Sequence, residues 1–259
     1  MLALNVKDIF LSALAKIQPK KVAALTLLSI STSVYAAEQG FISAVSPDFP
    51  TGLHSKYLKY LSNELSMPVE IKLMPFARKI KAIQAGELDL VFGIQDFNTP
   101  TSDTLIYIHP PYYSDASALF VRAENKTSVN KYQDLTSLLI GVSERAQYFD
   151  LFDNDNSLAK IQLLSLSQKI KLLNSKRIDA FFHNAESTEL TLKKMQLGEQ
   201  IVQANFQPVQ KRHYYIAISK SSFLAQRTEQ LENIIKKSID NGEFKRIRNQ
   251  HYQVIATTE

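Results

Sequence analysis

The side chains that could do chemistry gather at the ends of two short apolar runs. Gln95, Asp96 and Asn98 follow residues 88–92, and His183 and Asn184 follow residues 178–182. Amides and carboxylates so placed offer hydrogen bonds to a polar ligand, although Asn and Asp also favour turns for their own sake. Arg78 and Arg145 could fork onto a ligand carboxylate, or lie on solvated faces. Phe49, Tyr112 and Tyr113 could wall a pocket or simply pack. Asp96, Glu144 and His183 would form an acid–base set if the fold joined them, and nothing in the sequence does so. Motifs for metal hydrolysis (HExxH), phosphate cradling and nucleophile elbows (GxSxG) are missing. An S-x-x-K pattern occurs at 128–131 and 157–160 without its companion motifs. The chain has no cysteine, which excludes disulfides, thiolate chemistry and thiolate-held metal. The chemistry reads as binding rather than catalysis, with no catalytic residue, metal or cofactor expected.

The elements that must position these residues come in two similar stretches. Residues 79–92 read KIKAIQAGELDLVF and residues 169–182 read KIKLLNSKRIDAFF. Lys79/Lys169, Ile80/Ile170, Lys81/Lys171, Asp89/Asp179 and Phe92/Phe182 coincide. Each is an amphipathic helix end, a turn and an apolar strand. Phe76, Ile80 and Ile83 share one helical face, as do Leu166, Ile170 and Leu173. Gly86 stands where a left-handed residue closes a helix. The simplest meaning is two α/β lobes of similar build with a cleft between them, a common place for a small-molecule site.

Upstream, Lys16, Lys20 and Lys21 precede the apolar run 22–34, then Val34-Tyr35-Ala36. This reads as a signal peptide over residues 1–36, cut after Ala36, and the alternative is an uncleaved anchor. Its removal takes away four lysines and one aspartate, leaving 26 basic and 24 acidic residues, a net charge of about +2. No nucleic-acid partner is indicated at that balance.

In the remainder, 41–45 reads as a strand, Thr51 as the cap of a helix carrying Leu53, Tyr57, Leu61 and Leu65, and 69–73 as an alternating strand. With the helix from Phe76 and the strand from Leu88 this is β-α-β-α-β, implying a parallel sheet. Residues 116–122, 139–142, 161–164, 178–182 and 201–202 read as further strands, and 132–138 as a short helix. Residues 213–218 read as a returning strand. Ser221 or Ser222 caps a long helix that Asn241-Gly242 stops, and a last helix runs from Phe244 to near Tyr252.

This order of motifs resembles the family 3 solute-binding proteins of bacterial ABC transporters, which have the type II periplasmic-binding fold. The resemblance runs through Pro47-Asp48-Phe49, residues 85–92, Thr99-Pro100, Pro111-Tyr112-Tyr113, Asp134-Leu135, Ile140-Gly141-Val142, residues 176–180 and residues 214–219. It implies a two-lobed α/β protein of the periplasm, each lobe a sheet flanked by helices. Lobe 1 would span 37–118, lobe 2 would span 119–212, and 213–259 would return to lobe 1. It implies a small polar solute and an inner-membrane ABC permease as partners, with a monomeric state. A sensor that signals to a receptor, and a periplasmic enzyme derived from the same fold, are the alternatives.

The departures bear on the ligand. Amino-acid binders of the family carry an arginine where this chain has Ser102, an aspartate where it has Asn184, and a Gly-Thr or Gly-Ser pair where it has Arg145-Ala146. Burying an unpaired carboxylate and ammonium would cost several kcal/mol, so a free amino acid in the usual pose is not expected. The expected ligand-facing set is Phe49, Arg78, Gln95, Asp96, Ser102, Tyr112, Arg145 and Asn184.

Overall fold

The computed structural model describes residues 39–95 and 103–253. Strands β1 (Phe41–Val45) and β2 (Val69–Leu73) pair in parallel, and helix α1 (Leu53–Leu65) connects them. Helix α1 buries Leu53, Tyr57, Leu58, Leu61 and Leu65, the four-residue spacing visible in the sequence. Its N-cap is Gly52, with no side-chain cap, so Thr51 does not play that part. The chain is too tight there: the Gly52 amide donates to the Phe49 carbonyl at 3.1 Å, and a Cβ on Gly52 would lie 2.7 Å from Phe49 Cβ.

Helix α2 (Phe76–Gln84) turns into strand β3 (Leu90–Gln95) through Gly86, whose φ of +75° is the left-handed residue expected there. The strand starts two residues later than the apolar run because Asp89 serves the neighbouring strand instead. Asp89 donates its amide to the Ile42 carbonyl at 2.8 Å, and its carboxylate accepts the Ile42 amide at 2.7 Å. The lobe is mixed rather than purely parallel, because β3 pairs antiparallel with β10 (Arg212–Ser219).

On the far side of β10 lies β4 (Leu105–Asp115), in the order β3-β10-β4. Its Pro110-Pro111 pair hides it from a sequence reading, yet an edge strand tolerates proline because one of its sides needs no ladder bonds. Leu90, Phe92, Ile216 and Ile218 face one core with α1, while Val91, Ile94 and Ala217 face the other with α2.

The second lobe is a five-stranded sheet in the order β7-β6-β8-β5-β9. Its members are β5 (Ala118–Arg122), β6 (Leu139–Ser143), β7 (Ala159–Leu163), β8 (Ala180–His183) and β9 (Ile201–Gln203). Period-two alternation splits them cleanly: Leu119, Val121, Ala180 and Phe182 face one core, and Ala118, Phe120 and Phe181 the other. Helices α3 (Asp150–Asn154), α4 (Leu166–Asn174) and α5 (Ala185–Lys194) belong to this lobe. After β10, α6 (Thr228–Asp240) and α7 (Glu243–Gln253) close the chain on α1, with Phe244 and Ile247 in its core.

The two similar stretches of sequence are equivalent in structure. Asp179 brackets Leu139 as Asp89 brackets Ile42, donating its amide at 2.9 Å and accepting one at 2.9 Å. Lys79 Nζ donates to the Phe92 carbonyl at 3.3 Å, and Lys169 Nζ to the Phe182 carbonyl at 2.8 Å.

Candidate binding cleft

A cavity of about 270 Å³ lies where the strand ends of the two lobes meet, and both lobes line it. Lobe 1 contributes the loop after β1 (Ser46, Asp48, Phe49), His54 of α1, Lys79 of α2, Gln95 at the end of β3, and Arg248 and Tyr252 of α7. Lobe 2 contributes Ser143 at the end of β6, Ala146, Gln147 and Tyr148 of the turn that follows, the N-terminus of α4, and His183 and Asn184 at the end of β8.

Several bonds cross between the lobes. Asp48 accepts the Leu166 amide at 2.8 Å and the Ser167 hydroxyl at 2.9 Å, at the first turn of α4. Anions are favoured at a helix N-terminus, where backbone amides lack intrahelical partners. Gln95 Nε2 donates to the Gln147 carbonyl at 3.2 Å. Arg248 pairs with Glu186 of α5, and its guanidinium lies 3.7 Å from the centre of the Tyr113 ring.

Four of the expected ligand-facing set line the cavity, Phe49, Gln95, Tyr112 and Asn184, as do Tyr113 and His183. Phe49 leaves its own lobe to pack against the lobe 2 core. Gln95 is buried, and its Oε1 has no hydrogen-bond partner among the described residues. The Tyr112 hydroxyl meets His54 Nε2 at 3.0 Å. Asn184 is committed locally: its Oδ1 accepts the Ser187 amide at 3.0 Å as the N-cap of α5, and its Nδ2 donates to Asp115 at 2.9 Å.

Arg78 and Arg145 are not brought to the cavity, a correction to the expected set. Lys79 takes the inward position on α2, so Arg78, one residue earlier, faces solvent and pairs with Glu87 at 2.8 Å. Arg145 occupies a left-handed turn position (φ +64°) with its side chain exposed, while Ala146 and Gln147 line the cavity. Asp96 and Ser102 lie outside the described residues, as does Asn98.

Sequence reasoning missed the two buried lysines, 5% and 0% exposed for Lys79 and Lys169. Lysine in an amphipathic helix reads as solvated. The available signal was their identical spacing before Phe92 and Phe182. Burial pushes Lys79 down to about 8 and Lys169 to about 7. Lys169 Nζ holds three acceptors, the Phe182 carbonyl at 2.8 Å, Ser143 Oγ at 2.9 Å and His183 Nδ1 at 3.2 Å. Burial holds His54 down at about 3, and burial with Lys169 beside it holds His183 well below the usual imidazole range, so both rings are neutral at pH 7. Gly93 (φ +82°) lets His54 approach, since a Cβ there would sit 2.6 Å from His54 Cε1.

The arrangement can enclose a small molecule between two lobes. Among the described residues no group of three or more His, Asp or Glu side chains could hold a metal ion. The family model for bacterial extracellular solute-binding proteins, family 3, matches residues 36–254. The chain belongs to that family. Curated protein sequences include no significant match.

Among solved structures, the chain is similar to an amino acid ABC transporter substrate-binding protein, AbpA from Streptococcus pneumoniae Canada MDR_19A, bound to L-arginine. The TM-score is 0.72 at 18% identity, covering 83% of this chain and 95% of that one. It is also similar to a histidine kinase sensor domain with similarity to periplasmic binding proteins (TM-score 0.69, 14% identity, 82% and 96% covered). The GluR0 ligand-binding core with L-glutamate gives a TM-score of 0.69 at 14% identity, with 83% and 99% covered. These likenesses establish the type II periplasmic-binding fold.

Proposed function

We propose that this protein captures a small polar solute between its lobes and delivers it to an inner-membrane ABC importer. The observation that carries the reading is the cavity lined from both lobes, with Asp48 of one lobe seated on helix α4 of the other. Only contacts made by both lobes at once favour a closed state over an open one, which is how ligand and closure become linked. Phe49, Gln95 and Tyr112 are the ligand-facing side chains from the sequence-derived set, and Asn184 shapes the floor. The lobes divide near residues 118 and 212, where the chain passes from one group of strands to the other.

The chain is exported to the periplasm by residues 1–36. N-terminal sequencing of protein recovered from the periplasm is expected to begin at Ala37. No helix among the described residues is long and apolar enough to cross a membrane. It acts as a binding protein rather than an enzyme.

A second reading, a ligand sensor acting on a membrane receptor, is favoured by the likeness in fold to the histidine kinase sensor domain. A thermal-shift screen of the periplasmic protein tests the shared core of both readings. At about 100-fold excess over Kd a ligand adds about 2.7 kcal/mol, a shift of roughly 5–10 °C for a chain of this size. Binding to the purified permease, against binding to a receptor, then separates the two.

A further inference from the structure

We propose that the ligand of this cleft is a small organic anion built on a flat aromatic or heteroaromatic ring, with its anionic group against Lys79 Nζ and a hydrogen-bond donor on Gln95 Oε1. The inference rests on the reading that the cleft binds a solute, and narrows it to a chemical class.

Lys79 and Lys169 are equivalent in sequence and fold, and differ in how they are satisfied. An ammonium has three protons to donate. Those of Lys169 are all taken within lobe 2. Lys79 is 5% exposed and lines the cavity, and among the described residues its one acceptor is the Phe92 carbonyl at 3.3 Å. Its ammonium also lies 5.4 Å from the centre of the Phe76 ring, and two of its donors have no acceptor among the described residues, which is costly for a buried charge until the cavity is filled. Arg248, the other cation on the wall, is already engaged by Glu186 and Tyr113. Although burial holds Lys79 at about 8, it still carries its proton at pH 7.

The acidic side is equally committed. Asp48 is the carboxylate lining the cavity among the described residues, and both its oxygens accept bonds from α4. A ligand ammonium would find no free carboxylate in that set. Gln95 Oε1, buried at the strand end, is an acceptor awaiting a donor. Among the remaining lining residues the rings of Phe49, Phe76, Tyr148, Tyr214 and Tyr252 stand beside aliphatic side chains such as Leu53 and Leu190. Rings stack on such surfaces with a gain beyond their area alone.

Three compounds with one ring and one phenol donor separate the charges: 3-(4-hydroxyphenyl)propionate, L-tyrosine and tyramine. Titration calorimetry of the periplasmic protein at pH 7 is expected to give the acid an affinity at least ~10-fold above tyrosine, with tyramine weakest. Lys79→Met, with Lys79→Gln as a second variant, should weaken the acid by ~10-fold or more and leave tyramine unchanged. Thermal melts of each variant show that it is folded. Equal or tighter binding of tyrosine or tyramine overturns the inference, as does an acid affinity indifferent to both folded variants. If a sugar, polyamine or free amino acid binds while the acid does not, the anionic class is wrong and solute binding stands. If nothing in the wider screen binds, both fall.

Discussion

The Asp48 carboxylate and the Ser167 hydroxyl meet across the cleft at 2.9 Å, joining the loop after β1 to the first turn of α4. The same carboxylate takes the Leu166 amide at 2.8 Å, so the lobe 1 loop supplies lobe 2 with an anion at a helix N-terminus. These bonds can exist only when the lobes are together. They therefore act on the equilibrium between open and closed forms rather than on either lobe's own stability.

Asp48→Asn keeps the shape and removes the charge. Charge-assisted bonds at a helix N-terminus contribute about 1–2 kcal/mol in partly buried settings. Ligand affinity should fall by roughly 5–30-fold, with Tm of the ligand-free protein nearly unchanged. Calorimetry and thermal melts check the two halves separately. A large fall in Tm would show that Asp48 holds its own lobe together.

Asp89 and Asp179 staple the start of one strand to the loop before another, and neither lines the cavity. Replacing either with Ala leaves a strand amide, that of Ile42 or Leu139, without its acceptor. The cost is about 1–3 kcal/mol. Each carboxylate has a further partner, the Ser222 hydroxyl at 2.6 Å for Asp89 and the Arg122 guanidinium at 3.5 Å for Asp179, so the two replacements should cost similar amounts. Thermal melts should show a Tm loss of roughly 3–10 °C with ligand specificity intact.

Acid should destabilise the protein well above the pH at which its carboxylates titrate. His54 is held at about 3 in the folded protein against an ordinary 6.5. The unfolded chain therefore binds more protons than the folded one as pH falls through 6.5, and stability falls with it. Between pH 7 and pH 5 this one ring contributes a loss of about 2 kcal/mol, or roughly 4–8 °C in Tm. His183, lowered in the same direction, adds to it. The lysines act with the same sign at higher pH: with Lys169 at about 7 and Lys79 at about 8 against 10.5 unfolded, stability rises from pH 7 towards pH 10. Melts from pH 5 to pH 9 in one buffer series measure both limbs. His54→Gln should flatten the acid limb.

Much of this fold was legible because its elements have strong periods. The α1 face, the β1 and β2 runs, and the left-handed Gly86 follow from spacing and side-chain type. Strand β4 was obscured by Pro110-Pro111, since its tolerance of proline depends on lying at a sheet edge, which only the assembled topology decides. Helix α5 was hidden by its run of Ser and Thr and is held by Asn184 as a cap. The site was half legible. Strand ends announced Gln95 and Asn184, but helix rotation decides between Arg78 and Lys79, and the apolar face of α2 was drawn without the lysine it buries. That the two copies of the lysine differ in their partners depends on Ser143 and His183, far from Lys169 in sequence.

Closure of the two lobes on a small solute can be observed directly. Because the chain has no cysteine, one can be placed on each lobe without background, Lys59→Cys on α1 and Lys171→Cys on α4, both at exposed positions. Donor and acceptor dyes on that pair report the distance between lobes while the solutes of the thermal-shift screen are titrated in. The solute giving the largest thermal shift should also produce a single saturable change in energy transfer, with a midpoint equal to its calorimetric Kd. A tight, saturable thermal shift with no change in transfer would contradict closure, and no response to any solute would contradict the cleft as a binding site.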